Sequence, residues 1–206
     1  MSLFITFEGP EGCGKTTQIK LLAEVLTARG CNVLSLREPG GTSIGDQIRE
    51  VLHDLRNTEM HARAEILLYN AARAQIVEQR IKPHLAAGGI VLCDRFADST
   101  LAYQGYGRGL DLADVQHIVA FATQNLKPDL TLYLDIDVEA GLARRRIGGG
   151  EWNRMDDQTV EFYRRVREGY RVLMAAEPQR WVSIDASRSV EDVQRAIWEK
   201  VSALVR

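Results

Sequence analysis

A glycine-rich segment near the start of the chain has the residue types and spacing of a phosphate-binding loop. Residues 9–16 read Gly-Pro-Glu-Gly-Cys-Gly-Lys-Thr, the complete G-x-x-x-x-G-K-T pattern. In this pattern backbone N–H groups surround phosphate oxygens, while Lys15 bridges the outer phosphates and the Thr16 hydroxyl holds Mg²⁺. Apolar residues 3–7 and helical periodicity over 16–28 supply the strand and helix that the loop requires. We therefore favour a phosphate site over a glycine-rich turn that matches by chance.

An acidic and a basic residue follow one another where a second apolar segment, 90–94, ends. Asp94 resembles the carboxylate that organises Mg²⁺ or its water ligands in phosphate-loop enzymes. The Arg95 guanidinium has the fork of donors that binds a phosphate through two hydrogen bonds. From these residues alone, an ordinary ion pair between Arg95 and a neighbouring acid is an equally good interpretation.

Three further segments carry polar side chains suited to a nucleotide. Residues 37–42, Arg-Glu-Pro-Gly-Gly-Thr, form a shaped loop, although a plain turn with incidental charges is favoured on this segment alone. Tyr69 and Arg73 are one helical turn apart and so could stack on and read a base; core packing beside a surface arginine is the alternative. Segment 98–106 is read, by itself, as a helix start capped by Ser99 or Thr100.

The segment 144–156 combines arginines with three consecutive glycines, Gly148 to Gly150. Such a segment suits a mobile lid that excludes water and brings a cation to the developing phosphoryl charge. We rank Arg154 first as that cation and take Arg145 as a surface position. A solvated charge run on a flexible loop is the competing interpretation.

Alternating strand and helix patterns must position these residues. Strands are predicted at 3–7, 32–36, 90–94, 130–135 and 181–184, and helices at 16–28, 44–54, 61–86, 111–124, 138–146, 156–175 and 190–204. The alternation predicts an α/β fold with a five-stranded parallel sheet and helices on both faces. We expect one domain, 1–206, with a lid insert at about 144–156, and a kink or early helix end near Pro83. The carboxyl ends of the strands are where the polar segments would meet.

Composition excludes several classes of protein. The chain has 206 residues, 45% of them hydrophobic, and a formal net charge of -2 without a long basic stripe, which argues against nucleic acid as a partner. No apolar run reaches membrane-spanning length and no signal peptide pattern opens the sequence. The cysteines Cys13, Cys31 and Cys93 lack paired or metal-type spacing, so we expect the cytoplasm.

Taken together, the motifs resemble the thymidylate kinase family of the P-loop nucleoside monophosphate kinase group. The matching pieces cover nearly the whole chain in order: 7–17, 37–42, 69–73, 94–96, 99–105, the lid and 165–170. The resemblance implies Mg²⁺-assisted phosphorylation of dTMP to dTDP with ATP as the phosphoryl donor, and a homodimer. Two departures stand out. No basic residue occupies positions 10–13 of the loop, so the arginine-rich lid resembles the bacterial branch, and Asp156 replaces the glutamate that many members carry two residues after the lid arginine.

The resemblance also implies roles for individual residues. The catalytic groups would be Lys15, Arg95, Glu11 and Arg154. ATP would be bound by Gly9, Pro10, Glu11, Gly12, Cys13, Gly14, Lys15, Thr16, Thr17 and Arg144. The dTMP site would comprise Glu38, Pro39, Arg49, Tyr69, Arg73, Arg95, Ser99, Thr100, Tyr103 and Gln104. Mg²⁺ would be held by Thr16 and Asp94, partly through water.

Within these roles Arg73 would read thymine, Tyr69 would stack on it, and Tyr103 would crowd the sugar 2′ position and so favour deoxyribose.

Another nucleoside monophosphate kinase is the nearest alternative. A GTPase-type switch is the alternative from another class; its guanine-reading N-K-x-D tetrad is approached only by residues 125–129, which carry one extra residue and precede their strand.

Overall fold

The five strands form one parallel sheet in the order β2-β3-β1-β4-β5 in the computed structural model, which describes residues 2–148 and 152–205. The strands are β1 (Leu3–Glu8), β2 (Val33–Arg37), β3 (Ile90–Asp94), β4 (Leu130–Asp135) and β5 (Trp181–Asp185). β1 lies at the centre, where Phe7 pairs with Asp94 on one side and Leu132 on the other. This confirms the predicted α/β fold with a five-stranded parallel sheet.

Helices fill the connections between the strands. Their bounds are α1 (Lys15–Ala28), α2 (Ser43–His53), α3 (Ala62–Ile76), α4 (Lys82–Ala86), α5 (Ala97–Thr100), α6 (Leu112–Thr123), α7 (Val138–Ile147), α8 (Val160–Ala176) and α9 (Val190–Val201). Two π-helical segments, Val77–Ile81 and Leu101–Gly107, continue α3 and α5. Within the described ranges, no helix is long and apolar enough to cross a membrane.

The sheet is covered on both faces because alternate residues of its central strand enter different cores. Ile5 and Phe7 of β1 pack in a cluster with α1 and α9, for example against Leu22 and Ile197. Phe4 belongs to a cluster on the other face, together with Ile76 and Phe96. Tyr133, Tyr163 and Tyr170 form a further core with α8. All six residues of β1 are buried, as expected for a central parallel strand.

Two helices differ from their predicted bounds for local reasons. The predicted helix 61–86 changes to π-helical geometry at Val77–Ile81, and the helical backbone then continues as α4 through Pro83 to Ala86, so the helix does not end early at this proline. The predicted helix 156–175 begins only at Val160, because Thr159 caps it by accepting a hydrogen bond from Phe162 N at 3.2 Å.

The helix after β3 was not predicted from periodicity, and residues 98–106 were interpreted only as a helix start. α5 begins at Ala97, before Ser99 and Thr100, so the interpretation of these residues as helix caps is wrong. Both hydroxyls lie inside the helix and bind buried charged side chains, Ser99 to Glu8 and Thr100 to Arg73. The two hydroxyl groups therefore bind side chains of the site and do not cap the helix.

Candidate active site

The phosphate-binding loop joins β1 to α1 in the predicted context. Gly14 precedes α1 in the left-handed region, with φ at 93°, which only glycine adopts readily. The buried Lys15 side chain folds back over the loop, where Nζ donates to Gly9 O at 3.2 Å and Pro10 O at 3.1 Å. The loop also lies directly against α7, since a Cβ atom on Gly12 would stand 2.0 Å from Gly141 O. The lysine ammonium and the start of α1 thus present positive charge at one place.

The two predicted magnesium ligands are in contact. Thr16 Oγ1 donates to Asp94 Oδ2 at 2.9 Å, although the two residues belong to α1 and β3. Among residues 2–148 and 152–205, no group of three or more His, Cys, Asp or Glu side chains forms a metal cage. Mg²⁺ bound to a nucleotide needs only one or two protein oxygens, because phosphates and water complete its octahedron. The oxygen pair therefore fits the predicted ion.

Arg95 lies beside the loop with an unusual backbone. Its φ of 67° is rare for a residue with a side chain. Its Nη2 donates to Glu11 Oε1 at 2.7 Å and to the Tyr103 hydroxyl at 2.9 Å, and its guanidinium lies 4.8 Å from the centre of the Tyr103 ring. Burial opposes ionisation of Glu11, but Arg95 and then Lys15 lower its pKa to about 2. Glu11 therefore stays ionised and holds the guanidinium at the mouth of the loop.

A second carboxyl group, Glu8, lies under Arg95 and was not identified from the sequence. Its Oε1 accepts a hydrogen bond from Phe96 N at 2.8 Å, and its Oε2 lies 2.6 Å from Ser99 Oγ and 2.7 Å from the Tyr170 hydroxyl. Arg95 Nη1 donates to these two hydroxyls at 3.2 and 3.3 Å. Burial raises the pKa of Glu8 to about 7. An acidic residue ending an otherwise apolar strand is the one sequence signal that could have found it.

Arg73 is fixed at the far end of the site. Only 2% of the residue is exposed, and its Nε donates to Glu38 Oε2 at 2.7 Å. Its Nη1 donates to Thr100 Oγ1 at 2.7 Å and its Nη2 to Phe96 O at 3.0 Å. Burial raises the pKa of Glu38 despite the adjacent guanidinium. The donors of Arg73 are therefore held in one orientation before any ligand binds.

Gln104 and Tyr69 complete this end of the site. Gln104 Nε2 donates to Glu65 Oε1 at 2.8 Å, which fixes the orientation of the amide. Burial raises the pKa of Tyr69 to about 12, so its ring is neutral at physiological pH. Arg49 Nη1 donates to Pro39 O at 2.9 Å, which joins α2 to the loop after β2. An aromatic ring, an amide and a guanidinium thus surround a space that suits a nucleobase.

One continuous cleft of about 1570 Å³ connects the two ends, larger than a typical pocket for one small ligand of ~300–1,000 Å³. Nearly all of the predicted site residues line it: Glu11, Gly12, Gly14, Lys15, Thr16, Thr17, Glu38, Pro39, Arg49, Tyr69, Arg73, Asp94, Arg95, Ser99, Thr100, Tyr103, Gln104 and Arg144. Four predicted residues are not part of the lining: Gly9, Pro10, Cys13 and Arg154. His53 lines it too and was not predicted.

Two arginines of the predicted lid segment, Arg145 and Arg154, are paired with carboxylates. Arg154 is buried, with Nε donating to Leu52 O at 3.0 Å and Nη2 lying 2.6 Å from Glu65 Oε2. It thus contacts α2 and α3 on the base side of the cleft rather than the phosphate loop. Arg145 is not the surface position that we expected: it is partly buried, lines the cleft and donates to both oxygens of Asp156 at 2.9 and 2.8 Å.

Arg144 and the lid glycines complete this segment. Arg144 Nη1 donates to Ala186 O at 2.8 Å, beside the turn after β5. Gly149 and Gly150, two of the three predicted lid glycines, lie outside the described residues. The lid side of the cleft thus carries two arginines that line it, Arg144 and Arg145, and one that is held away from the phosphate loop.

Fold and site together define the class of protein. A phosphate-binding loop shares one cleft with a second, arginine-lined pocket, and Arg95 lies between them. This is the arrangement of a P-loop kinase that transfers a phosphoryl group to a nucleoside monophosphate, since donor and acceptor must meet in one water-excluding space.

Comparisons with known proteins identify the family. The family model described as Thymidylate kinase matches residues 7–197, so the chain belongs to the thymidylate kinase family. The thymidylate kinase of Roseiflexus sp. (strain RS-1) is 53% identical, over 100% of this chain and 94% of the relative. That of Geotalea uraniireducens (strain Rf4) is 52% identical over 98% of both chains.

A solved structure agrees with these relatives. The crystal structure of thymidylate kinase from Ehrlichia chaffeensis matches with a TM-score of 0.80 and 33% sequence identity, covering 97% of this chain and 98% of that one. The family, the fold and the dTMP kinase activity expected from the sequence are thereby confirmed.

Proposed function

We propose that this chain transfers the γ-phosphoryl group of ATP to the phosphate of dTMP, with the residue roles that the cleft suggests. The observation that carries the proposal is the single cleft that joins Lys15 and Thr16, past Arg95, to Arg73 and Gln104. ATP phosphates lie on the loop between β1 and α1, and the thymine ring lies between Tyr69 and Arg73. The phosphate of dTMP then meets Arg95 at the centre.

Transfer requires positioning and charge neutralisation rather than a strong base. An oxygen of the dTMP phosphate attacks the γ-phosphorus in line, and the bond from that phosphorus to the ADP oxygen breaks. The attacking phosphate is itself an anion, so no side chain needs to remove a proton. Lys15 supplies positive charge to the donor phosphates, and Arg95 supplies it to the acceptor phosphate. Thr16 and Asp94 would hold Mg²⁺, which would supply further positive charge to the donor phosphates.

Recognition of the base follows from donors that are already fixed. Arg73 is held by Glu38 and Thr100, and Gln104 by Glu65, so little ordering is needed when thymine binds. Tyr103, packed under Arg95, stands where the sugar would lie and favours deoxyribose. A pocket of this kind discriminates a missing methyl group by only ~1–3 kcal/mol.

The lid supplies a further cation. Arg154 and Arg145 are both candidates, and Arg144 lies at the adenine end of the cleft. Each is paired with a carboxylate, Arg145 with Asp156 and Arg154 with Glu65, and the position favours Arg145 because it lines the cleft whereas Arg154 does not.

A nucleotide panel tests the proposed substrate. With ATP and Mg²⁺ present, ADP release should be fastest with dTMP, slower with dUMP and far slower with dCMP, whose reversed donor and acceptor edge leaves buried groups unpaired. Preference for dCMP, GMP or AMP would refute the assignment and favour another nucleoside monophosphate kinase. Slow ATP hydrolysis without any acceptor requirement would instead indicate a nucleotide-operated switch.

We further propose that the chain acts as a homodimer in the cytoplasm. Large apolar side chains are exposed on α2, α3 and α6, and α3 packs between the other two helices. Val51, Leu67 and Phe121 are 46%, 57% and 87% exposed, values that a partner surface would reduce. Sedimentation should give twice the monomer mass, and Phe121→Glu should shift the equilibrium to monomer.

The cytoplasmic assignment is supported by three free cysteines.

A further inference from the structure

Glu8 has no assigned part in phosphoryl transfer, yet it underlies the residue proposed to bind the acceptor. The side chain has 0% exposure and lies at the end of the central strand β1. Its Oε2, Ser99 Oγ and the Tyr170 hydroxyl form a triangle with sides of 2.6, 2.7 and 2.9 Å. Arg95 Nη1 donates to both hydroxyls of this triangle. The triangle is thus the surface on which the Arg95 guanidinium rests.

A count of hydrogen atoms indicates the protonation state that this triangle prefers. Each hydroxyl carries one hydrogen, and an ionised carboxylate carries none. When Glu8 is ionised, two hydrogens are available for three oxygen–oxygen contacts. One contact then has no hydrogen between its oxygens, so their lone pairs repel each other. A protonated Glu8 supplies the third hydrogen, so that each of the three contacts becomes a hydrogen bond. Arg95 cannot supply it, because its Nη1 already approaches both hydroxyls as a donor.

The electrostatic surroundings of Glu8 act in both directions, and burial is the largest influence. Burial and the nearby Asp98 raise the pKa of Glu8 to about 7, although Arg95, Ser99 and Tyr170 oppose the rise. The titratable and charged groups that act on Glu8 are Arg95 and Asp98 after β3, Cys93 from β3 and Tyr170 from α8. Asp98 is itself paired with Arg180 at 2.7 Å. A phosphate dianion placed on Arg95 adds negative charge beside Glu8 and so favours its neutral form further.

We propose that Glu8 is a positioning residue that takes up one proton from solvent when the acceptor phosphate binds Arg95. This inference rests on the proposed placement of that phosphate at Arg95. The proton binds Glu8 Oε2 and closes the ring of hydrogen bonds with Ser99 and Tyr170. The ring then holds the guanidinium without competing for its charge, which is shared between Glu11 and the phosphate alone.

Proton uptake is measured by titration calorimetry of dTMP binding at pH 8 in buffers of different ionisation enthalpy. A phosphate monoester, with its second pKa near ~6, is already a dianion there. The wild type should take up on the order of 0.5–0.9 proton per dTMP, and its Kd should rise up to ~10-fold per pH unit above pH 7. Thymidine, which lacks the phosphate, should cause no uptake. Glu8→Gln should show neither the uptake nor the slope.

Glu65→Gln is the matched control, since Glu65 is an equally buried carboxyl group. Burial opposes its ionisation, but hydrogen bonds from Arg108 and Gln104 hold its pKa below the usual range. Glu65 is ionised before and after dTMP binds. The Glu65→Gln variant should therefore take up the same number of protons per dTMP as the wild type, whatever its affinity for dTMP. Equal uptake in wild type and Glu8→Gln, or no uptake in wild type, overturns the inference.

An infrared measurement keeps the test independent of variant folding. The wild-type difference spectrum on dTMP binding should gain the carbonyl stretch of a protonated carboxyl group, and thymidine should not produce it. Absence of this band with dTMP overturns the inference. Arg95→Ala separates the two proposals. If it binds dTMP as tightly as the wild type, the placement of the phosphate at Arg95 fails; if binding is lost and the band is absent in wild type, only the role of Glu8 fails.

Discussion

Gly141 of α7 should be intolerant of a single added methyl group, because the helix touches the phosphate loop through its backbone. In Gly141→Ala the new Cβ would stand 2.5 Å from Glu11 O and 3.2 Å from Ile136 Cγ2. Contacts of this kind are ordinarily 3.4 Å or longer. The loop and helix must therefore separate by about 0.9 Å, the difference between 3.4 and 2.5 Å. Glu11 carries the displacement directly to the guanidinium of Arg95.

The displacement should lower activity while the protein remains folded. A misplacement of ~1 Å costs on the order of 10²-fold in rate, so we expect kcat to fall ~10–100-fold. Overpacking costs ~1–3 kcal/mol, and replacing glycine by alanine in a helix returns up to ~1 kcal/mol. The net loss in the free energy of unfolding should therefore lie between about 0 and 3 kcal/mol.

The assay is steady-state ADP release with saturating ATP and dTMP, beside urea unfolding of the same samples. Ala140→Ser is the matched control, because it adds one heavy atom at an exposed position of the same helix. It should retain wild-type kcat. A folded Gly141→Ala with wild-type kcat would refute the reasoning, since it would show that the loop accommodates α7 without moving its catalytic groups.

Four other variants test separate parts of the site. Arg73→Ala should raise the KM for dTMP ~10–100-fold and leave that for ATP unchanged; equal losses would make Arg73 structural. Arg145→Ala should lower kcat by on the order of 10³, whereas Arg154→Ala should mainly raise the KM for dTMP; the opposite pattern restores Arg154 as the lid cation. Because the pKa of Glu11 is lowered to about 2, its stabilisation is complete above pH 4.5 and lost as pH falls towards 2. Urea unfolding of wild type should show this loss, and Glu11→Gln should lack it.

The fold was predictable because the signals that define it are local. Apolar runs bounded by glycine and proline gave the five strands, and helical periodicity gave the helices between them. The helix after β3 was missed because α5 has only four residues before its geometry changes, and its hydroxyl residues resemble a helix cap. No periodic pattern distinguishes such a short polar helix from a turn.

Site residues could be predicted from the sequence when they belong to one contiguous motif. They could not be predicted when two side chains far apart in the sequence form a pair. The phosphate loop, Asp94 and Arg95 follow from their places at strand ends. The Arg154–Glu65 pair joins the lid to α3, and no spacing rule links them. Glu8 illustrates the same limit, since its hydroxyl partner Tyr170 lies 162 positions later in the chain. Only the folded structure brings this strand-end carboxyl group into contact with Ser99 and Tyr170, which in turn contact Arg95.

The order of strands in the sheet has a consequence for synthesis of the protein. Of these five strands β1 is translated first, but it occupies the centre, where Leu3 pairs with Ile90 and Ile5 pairs with Leu130. At ~5–20 residues per second, the first neighbour follows on the order of 4–17 s later. During that interval an apolar segment of high strand propensity has no edge to join, and such segments aggregate. The strand that carries the phosphate loop is therefore the part of the nascent chain most in need of shielding.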